Sequence, residues 1–135
     1  MHYFTKKLTQ PKDSEIYIPW QGFNDTYGSN VFVSGGQEAA QTMAARFHPN
    51  WPACKQGARK LHARNCHQIL GLDLNTPVDF VVCYTPNANR SGGTGQALRI
   101  AEHFNIPIFD YGDPRGPEYT EQNLILFVSR LVAKL

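Results

Sequence analysis

Cysteine is scarce in this chain of 135 residues, with only three, at positions 54, 66 and 83. An odd number at wide spacing fits reduced thiols better than a disulfide framework, so a cytoplasmic protein is expected. No run of 18 apolar residues occurs, which argues against a membrane span. The opening stretch Met1 to Lys7 has no apolar segment behind it, so no signal peptide is expected. Neither sign of charge dominates: 13 Lys and Arg stand against 11 Asp and Glu, a net charge of +2. That balance excludes a polybasic nucleic-acid coat and an acidic tail. Charged residues are 18% of the chain and hydrophobic ones 41%, too apolar for disorder and enough for one core. The expectation is a single domain over residues 1–135.

Motifs that would decide the chemistry outright are also missing. No Gly-Lys-Ser/Thr of a phosphate loop of the Walker type follows any glycine run. No CxxC or HExxH is present, and neither internal repeats nor low-complexity tracts occur. No Ser-His-Asp or Cys-His constellation can be assembled from spacing. Of the acids that might serve acid–base chemistry, Asp79, Asp110 and Asp113, the first reads as a strand start.

What is present is a regular alternation of elements. Residues 1–14 are polar and read as an extended arm. Ile16-Tyr17-Ile18 is a β-favouring run stopped by Pro19, and Trp20 to Asn30 is a loop dense in Gly, Asn and Asp. Val31-Phe32-Val33 reads as a short strand or a buried loop segment. Ser34 and Gln37 have the spacing of a capping box, before a helix marked by Ala40, Met43, Ala44 and Phe47 that should stop before His48-Pro49. A longer helix is expected from about Ala53 to Leu70, with Gly71 in the C′ position. Asp79 to Thr85 is a nearly continuous apolar strand, Pro86 to Gly95 a loop, and a helix then runs to about Phe104, closed by Asn105. Ile106 to Tyr111 is a second strand, which completes a βαβ unit. Leu124, Phe127, Val128, Leu131, Val132 and Leu135 mark a C-terminal amphipathic helix, expected to pack mainly on its own core.

Candidate chemistry concentrates at the end of the Asp79–Thr85 strand. In open parallel sheets, ligands bind beyond the carboxyl ends of strands. There the segment Ser91-Gly92-Gly93-Thr94-Gly95 lets backbone amides approach an anion, next to a helix N-terminus with partial positive charge. Phosphate or pyrophosphate binding is the chemistry implied. The segment is not the dinucleotide GxGxxG, because Leu98 stands where its third glycine belongs. His62 and Cys66, four apart on a helix with Cys54 and His67 nearby, have spacing that can hold a metal. With no supporting motif they read as a buried cysteine and a surface histidine, and no metal or cofactor is expected. Arg59, Lys60 and Arg64 form a basic helical face, of which Arg59 and Lys60 read as solvated.

Leu61-His-Ala-Arg-Asn65, Asp79-Phe-Val-Val-Cys-Tyr-Thr85 and Ser91-Gly-Gly-Thr-Gly95 together resemble the SLOG superfamily, with Ile16 to Trp20 and Gly22-Phe23-Asn24 ahead of them. These are Rossmann-like nucleotide-binding proteins that include the DNA-processing protein A family and the Lonely Guy phosphoribohydrolases, and the look is most like small phage-encoded members. The resemblance covers about residues 15–112. It implies an α/β fold with a small, mostly parallel Rossmann-like sheet of three or four strands flanked by helices. It implies a phosphate held by Gly92, Gly93 and Gly95 with Ser91 and Thr94, and Arg64 reaching the ligand's phosphate or ribose. Trp20 and Thr85, at strand ends, are expected to border the base or sugar pocket. The catalytic glutamate of the Lonely Guy pattern PGGxGTxxE falls at Arg99, which favours holding an anion over catalysis; Glu102 lies a turn beyond.

The expected function is therefore binding of a nucleotide-derived small molecule, such as an ADP-ribose-like compound, without turnover, with sequestration of a host immune signal as the phage context. The alternatives are a nucleoside-monophosphate phosphoribohydrolase and a DNA-binding recombination accessory protein. The family's first strand–helix–strand unit is not in this chain, since only 15 residues precede Ile16. An edge left open in this way suggests a homo-oligomer.

Overall fold

The computed structural model describes residues 14–116, 118 and 120–134. Almost all of the expected N-terminal arm, and Leu135 of the C-terminal stripe, therefore lie outside the described residues. The chain alternates short strands and helices: β1 (Ile16–Ile18), β2 (Val31–Val33), α1 (Glu38–Phe47), α2 (Gln56–Leu70), β3 (Val81–Cys83), α3 (Gly92–His103), β4 (Ile108–Asp110) and α4 (Glu121–Val132). The fold is mixed α/β, and all its strand pairing is parallel.

The boundaries follow local chemistry. His48 ends α1 with its amide on the Ala44 carbonyl, just ahead of Pro49. Gly71 closes α2 at φ 79°, a left-handed value suited to glycine, with its amide on the His67 carbonyl. Asn105, at φ 56°, turns the chain out of α3. Thr120 caps α4 by accepting the Asn123 amide at 3.0 Å.

One expected cap is corrected. Helix α1 starts at Glu38, Gln37 makes no side-chain cap bond, and the buried Ser34 hydroxyl has no partner among the described residues. The 34–36 segment serves a close approach instead. A Cβ on Gly35 would lie 2.4 Å from the Pro19 carbonyl and 2.7 Å from that of Lys60. Glycine here lets the end of β1, the start of α1 and the middle of α2 meet.

Helix α2 is the centre of the molecule, packing against α1, α3 and β1. Its buried residues (Ala63, Asn65, Cys66, His67, Ile69 and Leu70) therefore wrap more of its circumference than one stripe. Cys66, Ile69 and Leu70 join Ala44, Val81, Leu98, Ile100, Ala101 and Ile106 in the main core. Gln96 crosses that core to donate to the Ala44 carbonyl at 2.9 Å, which ties α3 to α1. His67 stacks on Tyr17 at 5.8 Å and fastens α2 to β1.

The four strands pair two and two, β1 with β2 and β3 with β4. The reason lies at the edge of β1. Ile16 and Ile18 bond toward β2 through the Asn30 carbonyl and the Ser34 amide, so the alternate residue Tyr17 faces the other way. There its carbonyl accepts from Arg64 Nη1 at 3.3 Å. An α2 side chain thus takes the place of a neighbouring strand.

Helix α4 covers the outer pair only partly. Phe127 packs on Phe80 and Phe109, at 6.0 and 5.4 Å between ring centres. Leu124, Val128 and Leu131 are half-buried, whereas Ile125, Leu126 and Val132 are exposed.

Candidate functional site

Four consecutive residues, Val81 to Tyr84, line a cleft of about 700 Å³. Successive strand residues point to opposite faces, so a cavity touching all four runs along the edge of β3 away from β4. Arg64, Asn65, Gln68 and Ile69 of α2 form the facing wall. Gly93, Thr94, Ala97 and Leu98 of α3 form one end, and Tyr111 and Leu124 complete the lining. The cleft extends from the edge of β3 past its carboxyl end at Tyr84 to the N-terminus of α3, the end at which parallel βαβ units commonly hold ligands.

The Gly-rich segment builds that end. Ser91 is the N-cap of α3, and its side chain makes no capping bond. Gly92 sits at φ 67°, and a Cβ on Gly95 would fall 1.7 Å from the Arg90 carbonyl oxygen, so neither position tolerates a side chain without a shift. The amides of Gly92, Gly93 and Thr94 open the helix and have no intrahelical acceptor by construction. Asn87 and Ala88, at φ 54° and 59°, hold the preceding loop in left-handed backbone, a conformation costly for alanine.

Asn65 connects this end to Arg64. Its Nδ2 donates to the Gly93 carbonyl at 3.0 Å, and its Oδ1 accepts from Arg64 Nε at 2.9 Å. The Arg64 guanidinium also lies 5.6 Å over the Phe23 ring, and Phe23 in turn meets the Trp20 ring edge-on at 5.2 Å. Partial burial lowers the Arg64 pKa, yet an arginine stays protonated, so the site holds a half-buried cation. Among the described residues no carboxylate pairs with it, and its Nη2 has no hydrogen-bond partner.

Of the residues predicted from sequence, Arg64, Gly93 and Thr94 come together in the cleft lining, with Ser91, Gly92 and Gly95 in the same turn. Trp20 contributes indirectly, through Phe23. Thr85 does not line the cleft: it is buried, its amide donates to Asp110 Oδ1 at 2.9 Å, and its hydroxyl donates to Asp110 Oδ2. Arg99 faces the other side of α3, where it donates to the Phe47 carbonyl at 3.3 Å and to Gln96 Oε1 at 2.7 Å. Glu102 is ion-paired with Arg90. Arg59, read as solvated, instead lies 5.1 Å over the Trp51 ring and donates to its carbonyl at 3.3 Å.

Sequence reasoning missed Asn65 as a site residue. Its position beside Arg64 was visible, but the bond to Gly93, 28 residues away, was not. It also missed Cys83 and Tyr84, read only as strand. The Cys83 thiol is pushed up to about 11, by burial first and by the Asp110 carboxylate second. Cys66, placed in the core rather than beside His62, is pushed up to about 12 by burial. Comparison of the chain with known protein families, with curated proteins and with solved structures finds no match.

Proposed function

We propose that this protein binds a nucleotide-derived small molecule through its phosphate, in the cleft along β3, without turning it over. One observation carries the reading: the half-buried Arg64 side chain, with no carboxylate partner among the described residues, lines the same cleft as Gly93 and Thr94 in the first turn of α3. A partly desolvated cation gains more from an accompanying anion than one in open water does. A phosphate set between Arg64 Nη2 and the Gly93 and Thr94 amides supplies that anion and completes the helix terminus. Tyr84 and Tyr111, whose rings lie 5.2 Å apart, and the apolar wall of Val81, Ile69 and Leu124 suit the base or sugar.

Binding without turnover is favoured by the lining, which among the described residues contains no Asp, Glu or His. Hydrolysis of an N-glycosidic bond calls for a carboxylate to stabilise an oxocarbenium-like sugar. Glu102 is committed to Arg90, and Asp110 to Thr85 and to the Gly112 amide. The β3–α3–β4 unit and the resemblance to the SLOG superfamily support a Rossmann-like ancestry, and with it the sequestration of a nucleotide signal. The exposed Ile125, Leu126 and Val132 of α4 support self-association, which light scattering tests. Isothermal titration with ADP-ribose, AMP and cyclic dinucleotides tests the reading: saturable 1:1 binding supports it, and no heat at millimolar ligand rejects it. Free base released from AMP would instead establish the phosphoribohydrolase alternative.

A further inference from the structure

We propose that His48, Cys54 and His62 form a metal site that takes a single thiophilic divalent cation, Zn²⁺ above all, with three protein ligands and one open position. The three come from different pieces of chain: His48 caps α1, Cys54 follows the single turn of 3₁₀ helix at Trp51–Ala53, and His62 lies in the second turn of α2. One donor atom from each lies within 4.8 Å of the others. Cys54 Sγ is 3.5 Å from His48 Nε2, and the two imidazole rings are 4.7 Å apart between centres. A tetrahedral zinc with bonds of about 2.0–2.3 Å holds its ligand atoms roughly 3.3–3.8 Å apart. The Cys54–His48 separation already meets that distance, and His62 needs to close by about 1 Å.

His62 supplies the second observation. Its Nδ1 is buried and has no hydrogen-bond partner among the described residues, a state in which a ring nitrogen is poorly satisfied by protein alone. A cysteine–histidine nucleophile pair would use His48 and Cys54 alone; a metal also engages the His62 ring, one nitrogen of which lies within reach of both. Trp51 stands against both imidazoles, at 6.1 and 6.4 Å, and walls the trio on one side. A Cys54 thiolate among the ligands favours a thiophilic metal over a hard cation such as Mg²⁺. In the metal-free chain, His48 Nδ1 accepts the Asn50 amide at 3.0 Å. Ligation through Nε2 moves the ring proton to Nδ1 and releases that amide, so the 49–51 turn rearranges on binding. None of the three residues lines the β3 cleft, so the two sites are independent.

The test uses the full chain, reduced and stripped with chelator, titrated with Zn²⁺ against a chromophoric competitor and with Co²⁺ by optical spectroscopy. The expected result is one equivalent bound, with visible bands of tetrahedral cobalt and a thiolate-to-cobalt charge-transfer band. Cys54→Ser should abolish the charge-transfer band, and His62→Gln should weaken affinity by at least about tenfold. Cys54 sits half-exposed in a turn, so its variant keeps the test sound even if His62→Gln loses packing. No stoichiometric binding, or binding that survives Cys54→Ser with its charge-transfer band intact, overturns the proposal.

Discussion

Replacing Asn65 by leucine tests the linkage between Arg64 and the Gly-rich turn. Asn65 is 6% exposed and makes two hydrogen bonds, one to the neutral Gly93 carbonyl and one from the charged Arg64 Nε. A neutral bond of this kind contributes about 1 kcal/mol and one to a charged group about 1.5–3 kcal/mol. Leucine has a similar branched shape but can pair with neither partner at this buried position. The expected loss is about 3 kcal/mol, or roughly 10 °C in Tm for a domain of this size. Urea denaturation followed by circular dichroism reads it as a lower midpoint at unchanged slope. Asn65→Asp separates stability from binding. Its carboxylate accepts from Arg64 Nε and pairs the guanidinium, yet it cannot donate to Gly93 and it repels phosphate. That variant should keep more stability than the leucine variant while losing the ligand. A leucine variant within about 0.5 kcal/mol of the parent, or an aspartate variant that binds the ligand undiminished, refutes the reasoning.

Three further predictions address separate features. Gly95→Ala should destabilise by about 3 kcal/mol in chemical denaturation, because its Cβ meets the Arg90 carbonyl at 1.7 Å and the backbone has to move. Gly93→Asp should abolish ligand binding with the far-UV spectrum preserved, since it sets a carboxylate among the α3 amides; unchanged affinity removes that turn from the site. The raised thiols predict alkaline sensitivity. The folded state disfavours the thiolates of Cys66 and Cys83, so their contribution is complete below the ordinary thiol value of 9.0 and is lost as pH rises toward about 12 and about 11. Stability measured from pH 8 to 11 should fall above pH 9, and mass spectrometry after alkylation should find Cys54 modified before Cys66.

The elements were legible in the sequence wherever one residue type decided a boundary. Pro19, Pro49, Gly71 and Asn105 ended their elements as read, and the Gly-rich turn was found from its position between an apolar strand and an amphipathic helix. What stayed hidden depends on contacts between distant segments. Ser34-Gly35-Gly36 resembles a cap by local pattern, but Gly35 is required by Pro19 and Lys60, which only the folded chain brings near. The four strands pair two and two, and the free edge of β1 is met by α2, with a bond from Arg64 to Tyr17, 47 residues apart. Arg64 was singled out through a resemblance, and that no carboxylate among the described residues pairs with it could be seen only in the structure. Arg99 and Thr85 were expected at the ligand on motif and strand position, yet the bonds to Phe47 and Asp110 direct them elsewhere.

Whether Arg64 holds a ligand phosphate in the β3 cleft, as proposed, is read by isothermal titration of ADP-ribose into the protein and into Arg64→Gln. The expected result is 1:1 binding that weakens by about tenfold or more in the variant, the value of a charge-assisted contact to phosphate, with affinity falling as salt rises. Equal affinity in both proteins, or no binding to either at millimolar ligand, contradicts it.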